Sequence, residues 1–487
     1  MLHLHEAGWS PTNALMRAEP QATAYTPDAR IEEIADFLAD PVAAAEFPRR
    51  QLRFRNRRWD TAIGLDKVSD EDWLRHFGAF EPLPDNMPQP LALRYHGHQF
   101  RVYNPDIGDG RGFLFAQMRD SAGRLLDCGT KGSGQTPYSR AGDGRLTLKG
   151  GVREILATEM LEALGVNTSK TLSIIETGEQ LVRGDEPSPT RSAVMVRLSH
   201  SHIRIGSFQR LMAFEEHDHL ARLIDYCLAQ FPGPPPPDDA PARDEPAVIL
   251  LHQAVERLAD LAASYMVAGF VHGVLNTDNM NITGESFDYG PWRFLPRWQP
   301  EFTAAYFDHN GLYAFGRQPE AIRWNLGQLA VALRPLADSE PLIAALNRYG
   351  PLYQQAMRRR FLWRLGVPGG SEAADMAVIE AAEETMREGQ MGPDAFFFTH
   401  RGGRNASGRL AEALEGIDAR APSPADNPYW QAAQPESMVI EEVEDIWSAI
   451  AEHDAWDKLQ DKVERLRAMG VAHGEPPAPA GHLPTKG

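Results

Sequence analysis

Cysteine is nearly absent from the sequence, which contains only Cys128 and Cys227 among 487 residues. Two isolated cysteines exclude a cysteine-based zinc site and a disulfide-stapled scaffold, and they fit a reducing compartment. The sequence also lacks an apolar run of about eighteen residues, the minimum for a membrane helix, and its first residues do not follow the pattern of a secretory signal. We therefore expect a cytoplasmic protein with no membrane span.

Positive charge is in short supply as well. The 49 Lys and Arg residues stand against 67 Asp and Glu, which gives a net charge of -18. This excess of negative charge repels nucleic-acid backbones and anionic lipid headgroups, so we predict no nucleic-acid partner and no membrane partner. We also expect a monomer. Any phosphate group that the protein binds must be held by a local cluster of cationic side chains and backbone amides.

The chain divides into a strand-rich part followed by a helical part. Residues 86–210 alternate short apolar stretches with Gly-rich turns, and one amphipathic helix is predicted at 148–164. Residues 211–400 are predicted to be mainly helical, with an exposed proline-rich insertion at 231–246. The remaining segments are an N-terminal extension (1–85), a C-terminal helical extension (401–470) and a disordered tail (471–487).

The strand-rich part contains a glycine-rich loop, a lysine and a glutamate in that order. The loop IGDGRGF (107–113) has glycines at alternate positions, which let backbone amides approach phosphate oxygens. Lys131 ends a strand-like stretch, and Glu154 lies on the predicted helix. This order is typical of the phosphate-holding pair of protein kinases. The alternatives are a tight hairpin, a solvated lysine and an exposed helix charge.

A second pair of motifs, HGVLNTDNMNI (272–282) and FDYGP (287–291), resembles the catalytic and metal loops of protein kinases. His272 and Asn279 keep the kinase spacing, and Asp288 takes the position of the metal-binding aspartate. The sequence therefore predicts a metal-binding pair, Asn279 and Asp288.

The position of the kinase catalytic aspartate is occupied by Val274. A valine cannot accept a proton, so ordinary transfer of a γ-phosphoryl group lacks its usual base. Asp278, next to Asn279, is a candidate for a relocated base. The alternative is that its carboxylate caps the loop as an Asx turn.

Two arginines, Arg197 and Arg204, lie seven residues apart on what we predict to be consecutive strand segments. If both side chains point into the cleft, they supply bidentate phosphate contacts beyond those of Lys131. Two surface arginines on a strand are the alternative.

Four long motifs in order resemble the selenoprotein O family of protein adenylyltransferases. They are KGSGQTPYSRAGDGR, SHIRIGSFQ, HGVLNTDNM with FDYGP, and YFDHNGLYAFGRQPEAIRWNL. The resemblance covers residues 91–336. It implies an α+β, protein-kinase-like (pseudokinase) bilobal fold with N- and C-terminal extensions. It also implies ATP bound in an inverted orientation and transfer of AMP to Ser, Thr or Tyr hydroxyls of protein substrates.

The resemblance also implies roles for individual residues. Those that would bind the nucleotide are Gly108, Gly110, Arg111, Lys131, Asp143, Gly144, Arg197 and Arg204. Glu154 would hold Lys131, while Asn279 and Asp288 would ligate Mg²⁺ or Mn²⁺ and Asp278 would be the proton acceptor. Many family members carry a selenocysteine or cysteine near the C-terminus, whereas no cysteine follows Cys227 here.

Three functions stay open on the sequence. The first is transfer of AMP from ATP, or of UMP from UTP, with release of pyrophosphate. The second is a kinase-like phosphotransferase that uses Asp278 as its base, and the third is an inert nucleotide-binding scaffold, indicated by Val274. Retention of Lys131, Glu154 and the metal-binding pair argues against an inert scaffold.

Overall fold

A computed structural model describes residues 21–184, 186–415, 417 and 427–477, and its strands form mainly one sheet. The strands are β1 (Ala39–Pro41), β2 (Gln51–Arg55), β3 (Leu91–Leu93), β4 (Gly97–Gln99), β5 (Val102–Asn104), β6 (Leu114–Arg119), β7 (Leu125–Lys131), β8 (Leu146–Thr147), β9 (Lys170–Leu181), β10 (Thr190–Ser199), β11 (Phe270–Val271) and β12 (Arg293–Phe294). Eight of the described strands form an antiparallel sheet in the order β1-β3-β6-β7-β10-β9-β2, with β8 paired to β10. The pairs β4-β5 and β11-β12 are separate two-stranded ribbons.

Helices dominate the second half of the chain. The helices are α1 (Ala35–Leu38), α2 (Arg57–Ala62), α3 (Asp70–Gly78), α4 (Leu148–Ala163), α5 (Ile205–Ala213), α6 (His217–Gln230), α7 (Pro246–Ala268), α8 (Gln318–Leu333), α9 (Ser339–Asn347), α10 (Tyr349–Leu365), α11 (Glu372–Glu388), α12 (Pro393–Thr399), α13 (Gly408–Glu415), α14 (Ile440–His453) and α15 (Asp457–His473). The α+β class predicted from the sequence is confirmed. No helix in the described ranges is both long and apolar enough to cross a bilayer.

Both faces of the sheet are buried, as the alternation of side chains along β10 illustrates. Ala193 and Met195 belong to the large core that includes α4 and the helical part, whereas Val194 and Val196 belong to a second core. The second core is built on Trp73 and other aromatic residues of the first 85 residues. Because successive side chains of a strand point to opposite faces, Arg197 falls on the same face as Met195, toward α4.

The predicted helix at 148–164 is confirmed as α4. Thr147 caps it, since its hydroxyl accepts a hydrogen bond from the amide of Gly150 at 3.1 Å. Gly165 follows the helix with a φ of 75°, a left-handed conformation that glycine adopts without strain. One face of α4 packs on the sheet, and this fixes the position of Glu154 relative to β7.

The segments on either side of this core pack onto it. Residues 39–41 and 51–55 supply the two edge strands of the sheet, β1 and β2. At the other end of the chain, α15 packs against α4, where Arg467 Nη2 donates to Glu159 Oε1 at 2.6 Å. Helix α15 extends to His473, and residues 478–487 of the predicted disordered tail lie outside the described residues.

The helical part is organised around α7, which is buried along most of its length. Pro246 stands in the first turn, where its missing amide hydrogen costs no hydrogen bond, and Gly269 ends the helix with a φ of 68°. The chain then enters the ribbon β11-β12, which brackets the two kinase-like loops. Between Phe231 and Glu245 the described chain contains turns without helix or strand, and most of its residues are exposed.

Candidate active site

A cavity of about 720 Å³ lies between the sheet and the loops that follow α7. Its lining contains every residue predicted for the site except Glu154. These residues are Gly108, Gly110, Arg111, Lys131, Asp143, Gly144, Arg197, Arg204, Asp278, Asn279 and Asp288. Glu154 reaches the cavity through its contact with Lys131. The fold therefore gathers side chains that are far apart in sequence into one polar cleft.

The glycine-rich loop 107–113 packs closely against the loop that contains Tyr138. A Cβ atom on Gly108 would lie 2.4 Å from the ring of Tyr138, and one on Gly110 would lie 2.9 Å from its carbonyl oxygen. The hydroxyl of Ser139 donates to the Gly110 carbonyl at 2.5 Å. The glycines are therefore required by the close approach of two backbone segments at the cavity, and the alternative of a simple hairpin does not account for them.

Lys131 and Glu154 form the ion pair that the motif order predicts. Lys131 Nζ lies 2.6 Å from Glu154 Oε1, and their residues are only 8% and 1% exposed. The alternatives of a solvated lysine and an exposed helix charge are therefore wrong. A buried, paired ammonium at the cavity wall can contact a phosphate without a large loss of side-chain entropy.

Three cations converge on Asp288. Its Oδ1 lies 2.5 Å from Arg197 Nη1 and 3.6 Å from Lys131 Nζ, and its Oδ2 lies 3.4 Å from Arg204 Nη2. Burial raises the pKa of Asp288, but the three neighbouring cations outweigh this effect and hold the pKa well below its usual range. Asp288 is thus an ionised carboxylate at neutral pH.

The two arginines are buried, so the surface alternative for them is wrong. Arg197 is 5% exposed and lies on β10 as predicted. Arg204 is 2% exposed, but the prediction that it lies on a strand is wrong, because it immediately precedes α5. Its backbone forms an isolated β-bridge with Asn281, and its guanidinium group lies 3.1 Å from Asp109 of the glycine-rich loop. Two guanidinium groups therefore reach the same carboxylate from a strand and from a helix start.

Asp278 differs electrostatically from Asp288. Its Oδ1 is enclosed and has no hydrogen-bond partner, and its Oδ2 receives a long 3.5 Å contact from Gln99 Nε2. Burial raises the pKa of this carboxyl group to about 6. A hydrogen bond from the backbone amide of Asp278 to its own carboxylate opposes the effect of burial without cancelling it, so the Asx-turn alternative stays open. A carboxylate with a pKa near 6 can accept a proton at neutral pH.

The two kinase-like loops are joined by hydrogen bonds around His272 and Asn279. His272 Nε2 lies 3.0 Å from the Phe287 carbonyl, and Asn279 Nδ2 donates to the Val274 carbonyl at 2.9 Å. The amide of Asn279 thus uses its nitrogen within the loop, which leaves its oxygen as a possible ligand. Asp288 has a φ of 61°, a strained conformation for a residue other than glycine, which often marks a functional site.

The side-chain oxygens at this site suit a hard divalent cation only if the phosphates of a nucleotide supply further ligands. Asn279 and Asp288 offer amide and carboxylate oxygens, which Mg²⁺ and Mn²⁺ prefer, and Mg²⁺ commonly combines one or two carboxylates with substrate phosphates. Over the described residues there is no cluster of three or more His, Cys, Asp or Glu side chains that could hold a metal unaided.

Other residues of the cavity wall are not predicted by the sequence motifs. They include Tyr95, Gln99, Tyr138, Arg183 and His202. Arg183 forms an ion pair with Asp143 at 2.8 Å across a separation of forty residues, for which no local pattern exists. Tyr138 lies inside the motif KGSGQTPYSRAGDGR, so that motif could have identified it.

Comparison with known proteins shows the family of the chain. A family model described as protein adenylyltransferase SelO matches residues 21–418. The protein nucleotidyltransferase YdiU of Synechocystis sp. is 43% identical over 474 residues, covering 90% of this chain and 97% of that protein. The protein of the same name from Synechococcus elongatus is 44% identical over 474 residues (89% and 93%), and that of Vibrio cholerae is 39% identical over 313 residues (64% and 62%). The chain belongs to the SelO family.

Proposed function

We propose that the protein is an adenylyltransferase that transfers AMP from ATP to Ser, Thr or Tyr hydroxyls of other proteins and releases pyrophosphate. The family model and the names of the relatives support nucleotidyl transfer to proteins. One observation carries the proposal: three buried cations surround Asp288, and Asp278 in the same cavity is a candidate base. The position of the kinase base itself holds Val274, which cannot accept a proton.

We also propose that the fold is a protein-kinase-like bilobal fold with extensions at both ends. Its first lobe would be the sheet with α4 and the Lys131–Glu154 pair, and its second lobe would be the helical part with the two loops. A cytoplasmic location and a monomeric state remain predictions.

The cation cluster suggests which phosphorus atom reacts. Lys131, Arg197 and Arg204 lie buried at the cavity wall, so a triphosphate tail bound to them would have its γ-phosphorus shielded. The α-phosphorus would then be presented to solvent and to an incoming hydroxyl. Asp288 shares the three cations with Glu154, which pairs with Lys131, and with Asp109, which pairs with Arg204, and the phosphates of a bound nucleotide would add further negative charge to the cluster.

The transfer step follows from this arrangement. The acceptor oxygen forms a bond to the α-phosphorus, and the bond between that phosphorus and the bridging oxygen breaks, so that pyrophosphate leaves with the electron pair. The hydroxyl proton passes to Asp278, and the three cations stabilise the negative charge that develops on pyrophosphate. Asn279 and Asp288 would hold Mg²⁺ or Mn²⁺, which when bound neutralises part of the phosphate charge.

A labelling experiment separates the three functions. The protein is incubated with a mixture of acceptor proteins and with ATP labelled at either the α or the γ phosphorus. An adenylyltransferase transfers only the α label, a kinase only the γ label, and an inert scaffold neither. The Lys131→Ala variant serves as the control for nucleotide-dependent transfer, and α-labelled UTP tested in parallel decides between AMP and UMP as the transferred group. Transfer of the γ label alone would overturn the proposal.

A further inference from the structure

The ribbon β4-β5 has an unusual turn beside the catalytic loop. Its two turn residues, Phe100 and Arg101, have φ values of 51° and 65°. Two-residue hairpin turns with positive φ at both positions strongly favour Asn and Gly, so a phenylalanine and an arginine there are strained. Strain of this kind persists where the surrounding structure imposes it, commonly at functional sites.

The tip of the ribbon is held by the loop that contains Asp278. The backbone amide of Phe100 donates to Asn276 Oδ1 at 3.0 Å, and the amide of His98 donates to Thr277 Oγ1 at 2.7 Å. A Cβ atom on Gly97 would lie only 2.9 Å from Asp278 Oδ1. The ribbon is therefore fixed directly beside the proposed proton acceptor.

Aromatic side chains extend from this tip to the protein surface. Phe100 contacts Phe307 with ring centroids 5.8 Å apart, and Phe307 contacts Tyr306 at 5.1 Å. Tyr306 is 83% exposed and Phe307 is 43% exposed. We name these three residues the aromatic ledge. The chain just before it packs on the catalytic loop, since a Cβ on Gly273 would lie 3.0 Å from the Ala304 Cβ.

Exposed apolar side chains concentrate around this ribbon. Nine large apolar side chains are exposed in the part of the chain that the structure describes. Four of them lie on β5 or on the ledge, namely Val102, Tyr103, Tyr306 and Phe307. A cluster of exposed apolar groups next to a reactive site is typical of a surface that binds another macromolecule.

We propose that the aromatic ledge binds the acceptor segment of the protein substrate, an extended polypeptide with an apolar or aromatic side chain next to the modified hydroxyl. This inference rests on the proposed function, in which that hydroxyl must reach Asp278. Gln99 Nε2 lies 3.5 Å from Asp278 Oδ2, and the next residue, Phe100, contacts Phe307, so the ledge lies within reach of a segment whose hydroxyl is at Asp278. Exposed aromatic rings bind apolar side chains at little cost in conformational entropy.

The test compares a ledge variant with a matched surface variant. The ledge variant carries Tyr306→Ala and Phe307→Ala, and the control is Ile343→Ala, which removes an apolar side chain of 55% exposure on α9. With β-casein as the acceptor and α-labelled ATP, the ledge variant is expected to raise the KM for casein by about fivefold or more, with an unchanged Kd for ATP. The control should match the wild type.

Two synthetic peptides sharpen the test, one with Phe and one with Asn beside the same acceptor tyrosine and with no other hydroxyl side chain. The wild type should label the Phe peptide more efficiently, and the ledge variant should lose this preference. If the double variant melts at a lower temperature than the wild type, the single Tyr306→Ala variant, at the more exposed position, carries the same test.

The outcomes distinguish this proposal from the function on which it rests. If the wild type transfers no α label to any acceptor, the proposed function itself fails. If it labels casein and the ledge variant keeps the wild-type KM and peptide preference, the ledge proposal fails and the function stands. A ledge variant that changes the oligomeric state without changing the KM would make the ledge a self-association surface and would also overturn the proposal.

Discussion

Asp278 and Asp288 are neighbouring carboxylates in one cavity, and we expect their conversion to asparagine to change stability in opposite directions. Both substitutions should abolish or strongly reduce transfer of AMP. In the nucleotide-free protein, however, Asp278→Asn should raise the free energy of unfolding, and Asp288→Asn should lower it. The difference arises because burial dominates at Asp278, whereas three cations dominate at Asp288.

The expected gain for Asp278→Asn follows from the pKa of the carboxyl group. Folding raises that pKa from 3.8 to about 6. Between these values the folded protein binds more protons than the unfolded chain, so the carboxyl group lowers stability as the pH rises, and its full cost is present above about pH 6. A shift of about two pH units corresponds to about 3 kcal/mol as an upper limit. Because the side chain is partly exposed, we expect a gain of about 1–2 kcal/mol at about pH 7.

Asp288→Asn serves as the matched comparison. Removal of its charge would leave Arg197 without its carboxylate partner, whereas Lys131 keeps Glu154 and Arg204 keeps Asp109. Leaving a buried charge without its partner typically costs about 3–5 kcal/mol, so we expect Asp288→Asn to lower the free energy of unfolding by about 3 kcal/mol. Saturating ATP should reduce the loss, because its phosphates supply the missing negative charge.

Urea unfolding of the wild type and both variants, without nucleotide, measures these effects. At about pH 7 the Asp278→Asn variant should have the highest midpoint, and its advantage should shrink as the pH falls and disappear below about pH 3, where the wild-type carboxyl group is protonated in both states. The same variant should show an AMP transfer rate about a hundredfold lower, with ATP affinity preserved. Equal or lower stability of Asp278→Asn at neutral pH would refute the idea that this carboxylate is held in a desolvated position for catalysis.

Three further outcomes are expected. Arg197→Ala and Arg204→Ala should each weaken ATP binding by about 1.5–3 kcal/mol through loss of charge-assisted contacts, and unchanged calorimetric affinity in both variants would remove these arginines from the nucleotide site. The kcat/KM for the acceptor protein should fall about tenfold per pH unit below about pH 6, where Asp278 becomes protonated, and the same profile in the residual activity of Asp278→Asn would assign the titration to another group. Gly144→Ala, at a φ of 69° with a Cβ 2.3 Å from the facing backbone, should destabilise the protein by about 2–4 kcal/mol in urea unfolding. Gly123→Ala, at a φ of 75° with nothing within 4 Å, should cost only about 1 kcal/mol, and equal costs would contradict the steric argument.

Local patterns in the sequence predict the parts of the site that lie on regular elements. The three- and four-residue spacing of apolar residues predicts α4, and with it the position of Glu154. Lys131 at the end of a strand then pairs with Glu154, as the motif order indicates. These predictions succeed because helix periodicity and strand ends are properties of a few consecutive residues.

Long-range pairings are not visible in the same way. The edge strands β1 and β2 come from residues assigned to an N-terminal extension, and no local pattern links them to β3 and β9. Arg204 was expected on a strand, but it lies before α5, where the sheet has already ended. Sheet partners and loop paths depend on which distant surfaces need to be buried, and this information is spread over the whole chain.

The sequence by itself determined the family, the α+β class and the motifs that meet at the cavity. It could not determine the electrostatic state of two aspartates that are ten residues apart in the chain. Only the tertiary structure surrounds Asp288 with three cations and leaves Asp278 with one enclosed, unpartnered oxygen. The ionisation of a carboxyl group depends on the charges and the water around it in space, so one residue is a fixed anion and the other a candidate base.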